Sequence, residues 1–132
     1  MIEAGILLTA LLFGGMVLYS FGFAAFVFSA LPSDMARSTI RRAFPHFYIF
    51  VLATSAVAAL FAAGVDQTSA FILAAVAATT IVARQIIMPA INAASDSGAT
   101  ARFKALHSLS VIITLAHIAG AGIALIRLGA VL

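Results

Sequence analysis

Charged residues are so sparse along this chain that they cut it into four long apolar stretches. Residues 4–31 carry no charge at all. A second stretch covers 46–64, and a third covers 69–89, interrupted by Arg84 and Gln85. The fourth, 107–131, contains His117 and, near its end, Arg127. About 20 mostly apolar residues suffice for a helix to cross the roughly 30 Å hydrocarbon layer of a bilayer, so each stretch predicts a transmembrane helix. The first is too long for a cleavable signal peptide, and Glu3 stands where such a peptide carries basic residues. The expected fold class is all-α: an integral membrane antiparallel four-helix bundle, one transmembrane domain over residues 1–132.

The breaks between the stretches have local causes. Leu31-Pro32-Ser33-Asp34 ends the first helix, because proline disfavours helix at the residue before it and Ser and Asp favour caps and turns. Residues 34–43 then read as a short cytoplasmic amphipathic segment, with Arg37, Arg41 and Arg42 directed at the anionic headgroups of the bilayer. Asp96-Ser97-Gly98 breaks the chain after the third stretch. Within the spans, small residues recur at helical spacing: Gly15 and Gly22; Ser55, Ala59 and Ala63; Ala70, Ala74 and Ala78; Ala116, Gly120 and Ala124. Association in lipid depends on close backbone approach, so these stripes are expected at the helix contacts, with a homodimer face as the alternative use of one of them.

Composition narrows the function classes. Of 132 residues, 64% are hydrophobic and 8% charged, against about 45–50% and about 25% in soluble domains. A soluble enzyme, a secreted disulfide scaffold and a nucleic-acid-binding domain are excluded, and the chain has no cysteine. Seven Lys and Arg against four Asp and Glu give a net charge of +3. Arg37, Arg41, Arg42, Arg84, Arg102 and Lys104 fall on one side of the predicted topology and Arg127 alone on the other. The positive-inside rule then places loops 32–45 and 90–106 in the cytoplasm of a bacterial inner membrane, with both termini and the 64–68 turn outside.

Candidate chemistry is confined to a few polar positions. Arg84 is the one charge well inside a span; it either snorkels to the headgroups or turns inward as an anion or carbonyl clamp. If the helix continues through Pro89, the Gln85 carbonyl loses its bond and, with Arg84 and Thr80 one turn earlier, forms a polar notch; alternatively Pro89 ends the helix. His107, Ser110 and Thr114 make a polar stripe. His46 and His107 lie at similar depth and are weak candidates for a metal or for two haem ligands, whereas His117 is about 15 Å deeper than His107. No metal site and no cofactor are otherwise expected. All four carboxylates fall in loops or tails, which disfavours a proton pump built on a buried acid.

Three local patterns occur in order: Phe44-Pro45-His46-Phe47-Tyr48; Ala83-Arg84 followed by Pro89 and Ala93; and Phe103, His107, Leu109 and Ser110, all after Phe26 and Leu31-Pro32. Together they resemble the transmembrane protein 205-like family of small four-span membrane proteins, a domain of unknown function. The resemblance covers nearly the whole chain and implies that Pro45, Arg84, Pro89, His107 and Ser110 are its polar signature. Two departures are Val82 and Thr114, where the family can carry Asn. The vertebrate namesake is associated with platinum-drug tolerance and vesicle trafficking, which suggests handling of metals or small toxic molecules. The expected function is therefore non-enzymatic: binding or helping to move a small molecule or ion through a cytoplasm-side polar pocket of Arg84, His107, Ser110, Thr80, Pro89 and Pro45. The alternative is an accessory subunit of a larger membrane complex, respiratory or photosynthetic. A third reading is a haem-binding electron carrier.

Overall fold

A computed structural model describes residues 1–132. It contains no strand and four long helices: α1 Ile2–Ala30, α2 Ser33–Ala62, α3 Gln67–Asp96 and α4 Thr100–Gly129, each long and apolar enough to span a membrane. The chain is an all-α membrane bundle. Each helix packs on its neighbours in sequence, and α4 closes the ring on α1.

The helices run past the apolar stretches. Residues 34–43 do not form a separate amphipathic segment, because α2 starts at Ser33 and continues through Pro45 to Ala62. The break before it is as expected: Leu31 is extended, as a residue before proline should be. Nor does Pro89 end a helix. The turn before it, Ala83–Ile87, widens to π geometry, with the Met88 N–H reaching back to the Ala83 carbonyl, and α-helix resumes over Met88–Asp96. A π turn inserts one extra residue into the ladder and so accommodates the proline's missing donor. A second π turn, Leu18–Phe23, interrupts α1 where there is no proline.

The connections are tight. Asp66 caps α3, its carboxylate accepting from the Ser69 N–H at 3.0 Å and the Ser69 hydroxyl at 2.5 Å. The same carboxylate takes two bonds from Arg127 of α4, both 2.9 Å. At the other end Gly98 adopts φ +70, a conformation that costs glycine little. The Ala99 N–H to Ala94 carbonyl bond (2.9 Å) and the Gly98 N–H to Ser95 carbonyl bond (3.3 Å) then close a Schellman motif at the end of α3.

The core runs along inward stripes: Leu12 and Met16 of α1, Val51 and Ala58 of α2, Leu73 and Val76 of α3, Ala121 and Ala124 of α4. Small residues do sit at some crossings. A Cβ on Gly15 would come within 2.6 Å of the Phe50 ring, so glycine there lets the ring of α2 lie against the α1 backbone. Two of the expected stripes hold only in part, however: Gly120 meets Ile72 of α3 and Ala124 is buried. On α3 the inward residues are Ser69, Leu73, Ala77 and Thr80, while Ala74 and Ala78 face outward; on α4 they are His117, Ala121, Ala124 and Leu128, and Ala116 is exposed. Alanine gains little from either side in lipid, so larger residues and hydrogen bonds set the rotation of these helices.

Candidate binding cavity

In the half of the bundle that holds the 31–32 and 97–99 connections, the helices separate around a cavity of about 950 Å³. Its position follows from the packing. α1 meets α4 chiefly through Ile2–Val17; beyond its π turn, Ala24–Ala30 packs on α2 instead. The gap left between α1 and α4 is the open side, where Phe21, Phe28, Val111 and Leu115 are lining residues and exposed.

The cavity has two kinds of wall. Toward the connections it is polar: Arg37 and Ser38 from α2, Asn92 and Ser95 from α3, Thr100 and His107 from α4. Farther in it is mainly apolar and aromatic, with Phe21 of α1, Phe44 and Tyr48 of α2, Met88 of α3 and Leu115 of α4, while Phe28 of α1 lies at the level of the polar mouth. Along α4, Ser110 donates to the His107 carbonyl (2.9 Å) and Thr114 to the Ser110 carbonyl (3.0 Å). Their single protons are thus spent on the backbone, which leaves hydroxyl lone pairs for an occupant. Ser20, in the π turn of α1, lines the same cavity, and its buried Oγ has no hydrogen-bond partner. Such an orphan is costly unless something in the cavity pairs with it.

Of the residues singled out in the sequence, the structure brings His107 and Ser110 together here, and it adds Arg37, Ser20 and Asn92, whose spacing along the chain carries no sign of the cavity. Arg84, Thr80, Pro45 and Pro89 lie outside the cavity. Arg84 is half-buried at the α2–α3 contact; its Nε donates to the Pro45 carbonyl at 3.3 Å and an Nη to the Gln85 amide oxygen at 2.8 Å. It is a clamp on a carbonyl of the next helix. Thr80 is fully buried and donates to the Val76 carbonyl at 2.7 Å. His46 lies in a separate, mainly apolar groove with Leu11, Phe23 and Phe50, away from the cavity that holds His107. The two histidines therefore do not form a shared ligand pair, and no group of three metal-ligating side chains occurs. Arg41 does not stand free for headgroups: Asp96 accepts from both of its terminal nitrogens, at 2.7 and 2.8 Å, tying α2 to α3 beside the cavity.

Behind the cavity, Tyr19 stacks on Phe47 (centroids 4.8 Å) and donates to the Ala43 carbonyl at 3.0 Å, so aromatic packing fixes α1 on α2. Farther along the bundle His117, 7% exposed, pairs with Thr79 at 2.6 Å between Nε2 and Oγ1. Thr79 also lies 2.7 Å from the Ala75 carbonyl. With its one proton used there, the imidazole Nε2–H is the donor. A double-mutant cycle on Thr79→Val and His117→Leu should give a coupling of about 0.6–1.7 kcal/mol, the range for hydrogen bonds between membrane helices. Reversible unfolding in mixed micelles measures it; zero coupling would remove the bond from the account.

Residues 7–100 match the family model described as a domain of unknown function, DUF4149. The chain belongs to that family. The DUF4149 match spans most of α1, all of α2 and α3, and the turn into α4, so it includes Ser20, Arg37 and Asn92 of the cavity wall and stops short of His107 and Ser110. No curated protein and no solved structure matches the chain.

Proposed function

We propose that this DUF4149 protein is a non-enzymatic membrane protein that binds, or helps to move, a small molecule in the cavity bounded by Arg37, Asn92, His107 and Ser110. The observation that carries the reading is the cavity itself. About 950 Å³ lies at the upper end of the roughly 300–1,000 Å³ typical of ligand sites. A polar mouth, an aromatic interior and an unpaired buried hydroxyl suit an amphipathic occupant better than a bare ion. Orientation supports a cytoplasm-side mouth. Arg127, the lone basic residue at the opposite end, is paired with Asp66, whereas Arg37, Arg42, Arg102 and Lys104 form no ion pair. On the positive-inside rule the cavity end faces the cytoplasm of a bacterial inner membrane and the termini lie outside. The order of the sequence motifs resembles the transmembrane protein 205-like family, and that resemblance supports a binding or transport role.

A tryptophan at Ser110 tests this reading. Native mass spectrometry of gently extracted protein should show a non-protein adduct on the wild type that Ser110→Trp loses while the variant still inserts and folds. An adduct unaffected by the plug would refute it. A second reading, accessory subunit of a larger membrane complex, is favoured by the outward-facing Ala74 and Ala78 on α3, which offer a partner helix a close approach. Co-purification with other polypeptides in the same spectra, lost on Ala78→Phe, would establish it instead.

A further inference from the structure

Three features of the cavity select among amphiphiles. The first is charge. Two of its lining residues are basic, Arg37 and Arg41, and none is acidic. Arg41 is held by the Asp96 carboxylate, which leaves the Arg37 guanidinium as the single unpaired charge among the lining residues. The second is access. The open side lies between α1 and α4, flanked by exposed Phe21, Phe28 and Leu115, so in a bilayer it faces acyl chains rather than water. A solute entering from that side must already be in the membrane. The third is the Ser20 hydroxyl, which lies about 9 Å deeper than Arg37 by helical rise from the α1–α2 connection and has no partner.

We propose that the occupant is a lipid of the surrounding leaflet with one anionic phosphodiester headgroup. The phosphodiester lies against Arg37, with His107 and Asn92 beside it; the acyl chain lies along Phe21 and Leu115. The Ser20 hydroxyl donates to an ester carbonyl below the headgroup, which relieves its unpaired burial. One unpaired guanidinium in the lining matches one negative charge, and charge-assisted bonds from arginine to phosphate oxygens are the strong kind. This assignment rests on the cavity being a binding site, as proposed above, and adds the headgroup charge, the entry route and the residue that reads the headgroup.

The test places the full-length protein in nanodiscs of equimolar phosphatidylglycerol and phosphatidylcholine and counts retained lipids by native mass spectrometry. The wild type should keep one phosphatidylglycerol in preference to phosphatidylcholine by on the order of tenfold, and Arg37→Gln should bring the two to parity while Arg37→Lys restores most of the preference. Arg37 is exposed and makes no internal bond, so these variants leave folding intact. Ser110→Trp should remove both lipids. If Arg37→Gln keeps the preference, or the wild type holds both lipids equally, the headgroup assignment is overturned, and loss of lipid in Ser110→Trp still upholds the cavity as a binding site. If Ser110→Trp retains lipid as the wild type does, both readings fall. Displacement of the lipid by millimolar glycerol phosphate would make a soluble phosphoester the ligand and overturn the lipid.

Discussion

Asp66→Ala should lower the thermal midpoint by several degrees and loosen the α3–α4 end of the bundle, a larger effect than any other single charged-residue substitution. One carboxylate there serves three groups: the Ser69 N–H that begins α3, the Ser69 hydroxyl and the Arg127 guanidinium. Exposed ion pairs contribute little, whereas a helix cap contributes reliably, so the cap is the main loss. Asp66→Asn, which can still cap, should therefore remain near the wild type, and Arg127→Met should be milder than Asp66→Ala. The pH dependence has a definite sign. Bonds from Arg127 first, and then from Ser69, hold the Asp66 carboxyl well below the ordinary carboxylate value, which is about 3.9. A pKa lowered in the folded state adds stability above that ordinary value and loses it as pH falls through the folded one. Melting curves from pH 7 to pH 3 should thus differ between wild type and Asp66→Ala by a constant margin down to about pH 4, and the margin should narrow below it. A margin that widened on acidification would refute the pairing.

How much of this could be read from residues alone depends on the scale. The four spans follow from the spacing of charges, and the breaks from Pro32 and Gly98, because bilayer thickness and backbone sterics act locally. Which face of each helix turns inward was legible for α2, where Ser55 is buried, in part for α4, where Ala124 is, and not for α3. Ala74, Ala78 and Ala116 are as comfortable against lipid as against protein, so hydropathy holds no signal for them. The Arg84–Pro45 contact was half legible: an inward carbonyl clamp was one of two readings, and its partner was expected on α3 rather than α2. The His117–Thr79 bond had a usable sign. From the end fixed by Asp66 and Arg127, helical rise places Thr79 about 20 Å and His117 about 15 Å along antiparallel helices, within side-chain reach. The cavity had none. It arises where a π turn redirects α1 away from α4, and nothing in Leu18–Phe23 other than Ser20 and Gly22 distinguishes that turn from ordinary helix.

That dependence on α1 makes Leu12 the most informative apolar position. Leu12 is fully buried, one of only a few α1 residues that are, and it lies outside the cavity in the half of α1 that meets α4. In soluble cores Leu→Ala costs about 2–5 kcal/mol, partly for returning the side chain to water and partly for the void left behind. A membrane helix that leaves its bundle exchanges protein for lipid, not for water, so the first part largely vanishes. We therefore expect Leu12→Ala to cost about 2 kcal/mol, the low end of the soluble range, measured by reversible unfolding in mixed micelles. Leu7→Ala, at a position 70% exposed on the same helix, should cost almost nothing. The two variants also separate packing from recognition. Ser20, Phe21 and Phe28 reach the cavity from the far half of α1, so a helix released at Leu12 carries one wall of the site away with it. Leu12→Ala should lose retained lipid along with stability even though Leu12 does not line the cavity, and Leu7→Ala should lose neither. Full lipid retention in a destabilised Leu12→Ala would mean that α2, α3 and α4 hold the occupant alone, and Ser20 would have no part in binding it.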